Sequence, residues 1–239
     1  YNIRYNKIST VELKKNYLRD GVFTIISGAI MLGILSIYAV IFVVPFVEEW
    51  PYRLGFTLDH FTSVLQDPNL LSVFTNSLFV AFCTAVVGVL MSYGAALITA
   101  RSTLNGKLKS VIEAIALVIK TIPGMVLGIA FLLKFSGTSL QGTFLILIVC
   151  DVVHYFSTPY LMVKNSLSKM NASWETTAML MGDSWIKTIL RVVTPNAFST
   201  LLEVFSYYFV NAMVTISAVI FIAGAYTMVI TTKIKELQY

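Results

Sequence analysis

Residues 164–196, KNSLSKMNASWETTAMLMGDSWIKTILRVVTPN, are the one long interruption in an otherwise apolar chain. Apolar side chains recur there at helical spacing on both sides of Gly182: Trp174, Ala178 and Met181 before it, then Trp185, Ile189, Val192 and Val193 after it. That pattern predicts a helix, a glycine turn and a second helix rather than a linker. Ser173 is placed to cap the first helix, and Glu175 falls in its first turn, where the helix dipole favours a carboxylate. Gly182 supplies the positive φ that ends a helix, and Asp183 or Ser184 is available to cap the next. Along the second helix Lys187 and Arg191 lie opposite Ile189, Val192 and Val193, so one face packs and the other stays charged. Pro195 is expected to set the start of the apolar segment that follows.

The sequence on either side of this stretch belongs in a bilayer. Of the 239 residues 57% are apolar and 12% charged, and the mean hydropathy is +0.80. A soluble domain of that size needs more polar surface. Five segments reach the roughly 20 residues that a helix needs to cross a hydrocarbon core: 22–47, 72–100, 110–133, 141–163 and 197–224. The predicted fold class is therefore all-α, a polytopic membrane protein with about five transmembrane helices. Between the first two segments EEWPYRLGFTLDHFTSVLQDPNLLS reads as a partly ordered loop punctuated by Pro51, Gly55 and Pro68. RSTLNGKLK and SGTSLQG are the short connections after the second and third segments.

Basic residues distribute unevenly over these connections, and an excess of them marks the cytoplasmic side. Arg4, Lys7, Lys14, Lys15, Arg19, Arg101, Lys107, Lys109, Lys164, Lys169, Lys187 and Arg191 fall on one face, and only Arg53, Lys134, Lys233 and Lys235 on the other. The N-terminus and the 164–196 stretch are accordingly expected in the cytoplasm. The formal net charge of +5 then reflects orientation, and its dispersal argues against nucleic acid as a partner. An odd number of spans, in a chain that begins at Tyr1 rather than Met, leads us to expect part of a longer polypeptide.

Ionisable residues inside a span are costly and ask for a role. Lys120, the group Asp151, His154 and Tyr155, and the stripe Glu203, Tyr207 and Asn211 are the candidates for lining a translocation path. A second reading makes Lys120 and Asp151 a buried structural pair. Pro123, with Gly124 and Gly128 four apart, can loosen the third segment and admit a neighbouring helix. Cys83 and Cys150 fall inside segments as packing residues, and His60 and His154 are too few and too far apart for a metal site built by this chain alone. There is no HExxH, no GxSxG, and the Gly106-Lys107 pair lacks the rest of a phosphate loop. No catalytic pattern is present.

Glu175, Thr176, Thr177, Ala178, Gly182 and Pro195 have the spacing of the EAA loop, so the chain resembles the permease subunits of binding-protein-dependent ABC importers. Thr176 and Thr177 replace the more usual Glu and Ala. FTNSLFVAF (74–82), IPGMVLG (122–128) and SAVIFIAG (217–224) resemble segments of the ferric-iron and phosphonate branch. The resemblance implies a six-helix permease core, of which five spans are visible here, with a cytoplasmic coupling helix that docks on an ATP-binding subunit. In its terms residues 1–21 are a cytoplasmic tail or a linker between two fused halves, and 22–239 a transmembrane permease domain carrying the coupling loop 164–196. Trp174, Glu175, Thr176, Thr177, Ala178, Met181, Gly182, Asp183 and Pro195 would make the coupling contacts. ATP and Mg would sit on the partner subunit, with no cofactor or metal in this chain. The other implied partners are a second permease half, a periplasmic or extracellular solute-binding protein and the bilayer of a bacterial inner membrane. Two further classes fit the residues: an ion-coupled secondary transporter using Lys120, Asp151 and Glu203, and a membrane assembly or anchoring protein with no transport path.

Overall fold

The computed structural model describes residues 16–215 together with Val219, Val229, Thr232 and Ile234. Most of the basic tail lies outside them, as do the SAVIFIAG segment apart from Val219 and the far end of the fifth apolar segment. The chain divides into two units, Tyr1–Gln66 and Asp67–Tyr239.

The first unit is built on α1 (Tyr17–Val43), whose N-cap Asn16 accepts a hydrogen bond from the Arg19 amide at 3.3 Å. None of its 27 residues is buried and it is apolar all round, as a helix facing lipid must be. After it, β1 (Val47–Glu49) and β2 (Arg53–Phe56) pair antiparallel, and α2 (Asp59–Gln66) follows. His60 Nε2 lies 3.0 Å from the Val47 carbonyl, and the Phe46 ring packs on Phe56 and Phe61. The expected partly ordered loop is thus a hairpin and a helix. Strands of three and four residues are too short to display alternation in the sequence.

The second unit contains α3 (Pro68–Arg101), α4 (Gly106–Thr121), α5 (Gly124–Phe135), α6 (Phe144–Tyr155), α7 (Ser157–Lys169), α8 (Ser173–Leu180), α9 (Trp185–Thr188) and α10 (Thr194–Val214). Pro68 occupies the first turn of α3, where its missing N–H costs nothing, and Asp67 caps the Asn69 amide at 2.8 Å. Among the described residues three helices are long and apolar enough to cross a membrane, and up to five if each of two bent pairs is one span. These pairs depart from the straight segments expected. α4 and α5 meet at 108°, because Pro123 has no N–H to continue the ladder and holds Ile122 extended at φ −84°, ψ 119°. α6 and α7 meet at 56° around Phe156, three residues before Pro159.

Pro195 stands in the first turn of α10, as expected of a proline that marks the start of the last apolar segment, but the helical run does not begin there: it is continuous from Trp185 to Val214. Residues Ile189–Val193 form a π-helical turn in which the Thr194 amide bonds the Ile189 carbonyl five residues back, and this wider turn carries the helix past the proline ring.

α3 is the central element, packed mainly on α10 and α7. Gly88 permits the closest approach, since a Cβ there would stand 2.6 Å from ring atoms of Tyr208. The buried Tyr208 hydroxyl reaches Ser92 Oγ at 2.9 Å, so the seam between α3 and α10 closes with its polar atom satisfied. Tyr160 of α7 does the same with Thr99, donating at 3.1 Å.

Candidate functional site

The second unit's most elaborate polar site surrounds α8. Its N-terminus is set by Asn171, whose Oδ1 accepts from the amide and hydroxyl of Ser173 at 2.9 and 2.8 Å, so the capping role expected of Ser173 passes two residues upstream. Its C-terminus closes as a Schellman turn: the Gly182 amide bonds the Met179 carbonyl at 3.0 Å and the Asp183 amide the Ala178 carbonyl at 2.9 Å. Gly182 has φ +82°, as the pattern around it predicts. Ser184 then caps α9, accepting from the Lys187 amide at 3.3 Å, and Lys187 folds back to pair with Asp183.

Glu175 is held from the end of α3. Arg101 Nε donates to Oε1 at 2.6 Å and Nη2 to Oε2 at 2.7 Å, a bidentate pair with side chains only 4% and 12% exposed. The same guanidinium donates to the carbonyls of Met170 and Asn171 at 3.0 Å and of Leu167 at 3.5 Å. Nearby, Lys164 pairs with Glu113 at 2.6 Å, tying α7 to α4. A groove of about 590 Å³ opens beside the clasp, lined by Ile98, Arg101, Leu104, Glu175, Met179 and Trp185 among others. α8, the turn after it and α9 expose apolar side chains at Met179, Leu180, Met181 and Ile186.

The residues expected to couple therefore separate by orientation. Trp174 packs partly buried against the core, Ala178 is half-buried, Glu175 is turned inward, and Thr176, Thr177 and Met181 are exposed. Met181 leaves the inner face because α8 ends one residue before it. Pro195 lies exposed within the continuous helix and away from the glycine turn. Arg101, which organises the site, was not a candidate on sequence grounds. Its only signal is a lone arginine closing a long apolar segment.

The expected path residues are brought together in part. Tyr155 and Tyr207 meet edge to face with centroids 6.2 Å apart, the Tyr155 hydroxyl lies 2.5 Å from Thr215 Oγ1, and Thr215 in turn donates to the Asn211 carbonyl at 2.6 Å. His154 is half-buried against the Tyr155 ring. Glu203 is exposed beside buried Val204, outside this group. The buried pair of Lys120 with Asp151 is not formed. Lys120 is exposed in the last turn of α4, just before the bend, and is in no ion pair among the described residues, whereas Asp151 is buried in α6.

Broken apolar helices around a long central one, with a capped short helix clasped at one end, make up a polytopic, helical membrane fold. The chain belongs to the family of binding-protein-dependent transport system inner membrane components, whose model matches residues 88–238. It is 27% identical over 219 residues to the ferric transport system permease protein FbpB of Actinobacillus pleuropneumoniae and 30% identical over 205 residues to the putative ferric transport system permease protein FbpB 1 of Haemophilus influenzae. These alignments cover 86% and 82% of this chain but 31% of each relative, so the chain spans about a third of their length. The molybdate/tungstate transport system permease protein WtpB of Pyrococcus furiosus is 24% identical over 71% of this chain and 67% of its own. The fold is that of a bacterial ABC transporter involved in the import of the acidic polysaccharide alginate, at a TM-score of 0.72 and 16% identity over 95% of this chain and 82% of that one. An amino acid ABC transporter superposes at 0.54, with 19% identity over 76% of this chain and 83% of that one.

Proposed function

We propose that the chain is membrane-spanning permease sequence of an ATP-driven importer, with α8 as the helix that docks on a separate ATP-hydrolysing subunit. The observation that carries this is the construction of α8: inward groups fixed by Arg101, a Schellman turn at Gly182, and an outer row of exposed apolar side chains at Met179, Leu180 and Met181. A surface helix held rigidly while offering apolar side chains is suited to receive a push. On this reading α8 and the N-terminus lie in the cytoplasm, the bilayer is a bacterial inner membrane, and ATP and Mg belong to the partner. A second permease half completes the path, and a solute-binding protein delivers the solute to the opposite face. Tyr155, Tyr207, Asn211 and Asp151 are the residues of this chain assigned to the path.

Ferric iron is the favoured solute, supported by the two ferric permease relatives; the organophosphonate alternative draws no support from the relatives named above. As a hard cation ferric iron suits oxygen ligands such as carboxylate and phenol, the donors found at Asp151, Tyr155 and Tyr207. The test is co-purification of the ATPase subunit with the whole transporter, paired with uptake of radioactive ferric iron into proteoliposomes. L180E/M181E is expected to weaken ATPase binding by about tenfold or more, as charge placed in an apolar contact does. Unchanged binding would remove α8 from the docking role, and uptake of molybdate in place of iron would reassign the solute.

A further inference from the structure

We infer that Arg101 is the positioning residue that makes α8 and the end of α3 move as one body, an inference that rests on the docking role proposed for α8. No residue of α8 is fully buried, so packing alone does not fix it. Its connection to α9 runs through an exposed turn at Gly182, and its connection to α7 through the exposed residues Asn171 and Ala172. Beside the partly buried packing of Trp174 on the core, the polar tie between α8 and the bundle is the Arg101 guanidinium. Its five N–H groups have five acceptors: two oxygens of Glu175 and the carbonyls of Leu167, Met170 and Asn171.

Those carbonyls are significant. Met170 caps α7 and its carbonyl is one of the groups a helix C-terminus leaves without a partner inside the helix, which Arg101 satisfies; the Leu167 carbonyl, in the last turn, accepts the Met170 amide at 3.2 Å and takes Arg101 as a second, longer donor. A single side chain therefore joins the ends of α3, α7 and α8. The planar fork matches the carboxylate bidentately, and at 4% exposure water does not compete for it. Lys164 with Glu113, at 28% and 42% exposure, is a looser tie between α7 and α4 and does not reach α8. A displacement of α8 by its partner passes through Arg101 into α3, a 34-residue helix that packs on both α7 and α10. A lysine would keep the charge while losing the fork.

The experiment uses the whole transporter with its ATPase subunit in lipid nanodiscs, with Cys83 and Cys150 replaced by serine. Spin labels are placed at the exposed positions Leu180 on α8 and Leu90 on α3. Interlabel distances are measured nucleotide-free and with ADP and vanadate. The wild-type arginine is expected to keep one narrow distance distribution in both states. R101Q is expected to broaden it and make it shift between states, with R101K intermediate. R101Q distributions matching those of Arg101 in both states would overturn the inference. Should R101Q fail to assemble, an R101K distribution identical to that of Arg101 overturns it equally. A separate readout distinguishes the docking role: the Leu180 label should be immobilised when the ATPase subunit is added. A label indifferent to the ATPase removes the docking role and with it any transport purpose for the joint. Immobilisation without any R101Q effect removes the joint alone.

Discussion

Around α8 a guanidinium with 4% side-chain exposure meets five acceptors, while elsewhere in the same unit Asp151, Thr84 and Ser157 each bury a side-chain oxygen with no hydrogen-bond partner among the described residues. Both regions put polar chemistry where an apolar bundle would be cheaper. The first completes its network and gains a fixed geometry; the second leaves groups uncommitted at a cost to stability. Buried polar atoms kept without partners are what a path needs if it is to bind and release a solute, and what a mechanical joint must avoid. Among the described residues the same bundle is thus built to two standards, complete at the α8 clasp, where the proposed docking role puts the force, and under-satisfied at Thr84 of α3, Asp151 of α6 and Ser157 of α7.

The largest expected effect lies in the completed network. R101A strips the bidentate partner from Glu175 and the acceptors' partner from the end of α7, and breaking a buried pair in this way costs about 3–5 kcal/mol. The thermal midpoint of the purified transporter in detergent should fall further for R101A than for any other variant described below. E175Q should fall less, because the guanidinium keeps its three carbonyls. Equal losses for R101A and E175Q would mean that those carbonyl contacts contribute nothing, and the joint would reduce to an ordinary ion pair.

Next comes the seam on which both regions depend. At Gly88 any Cβ meets the Tyr208 ring at 2.6 Å, and neither the α3 backbone nor a buried tyrosine bonded to Ser92 has room to retreat. G88V should therefore cost about 1–3 kcal/mol, in the range of overpacked cores. The check is the same thermal midpoint, with Y208L introduced beside G88V. Partial recovery in the double variant confirms that the clash is local, whereas no recovery places the damage elsewhere along α3.

How much of this could be read from the chain follows from the range of each interaction. The apolar segments and the helix, glycine, helix order were legible because hydropathy and the Schellman turn are local, spanning a few residues around Gly182. Pro195 was legible as a first-turn residue of α10, but the π-helical turn at Ile189–Val193 that makes α10 continuous with α9 was not, because it goes with the packing of Ile189 and Val193 in the core. Pro123 was visible as a weak point, but the 108° between α4 and α5 depends on what α5 packs against. The Arg101–Glu175 clasp joins positions 74 apart in sequence, and nothing in either local context announces the other. The site's frame was legible, and its fastening was not.

A smaller loss is expected at the turn that delimits α8. Gly182 has φ +82° with open space around it, so G182A meets no clash and suffers only the left-handed backbone, about 1–2 kcal/mol. G182N should recover part of that, since asparagine tolerates the conformation better. The measurement that sharpens the comparison is ATPase binding by the two variants. If the turn serves mainly to orient Leu180 and Met181, binding should follow the stability order Gly, Asn, Ala.

The smallest change, and the only one expected in the opposite direction, is D151N. Asparagine keeps the volume of Asp151 and removes its capacity to ionise, and no hydrogen bond to the buried Oδ1 is lost because none is present among the described residues. A carboxylate near the middle of a span is itself unfavourable by about 2.5–3.5 kcal/mol on the insertion scale, so the thermal midpoint should hold or rise. On the path proposed above, transport should nevertheless change, because a cationic solute beside Tyr155 and Tyr207 would lose a carboxyl group able to ionise against it. A midpoint for D151N as low as that for R101A would show that Asp151 is as fully engaged as the clasp, and the contrast between the two regions would collapse. A raised midpoint with impaired iron uptake would instead mark Asp151 as a residue retained for the solute at the expense of the bundle.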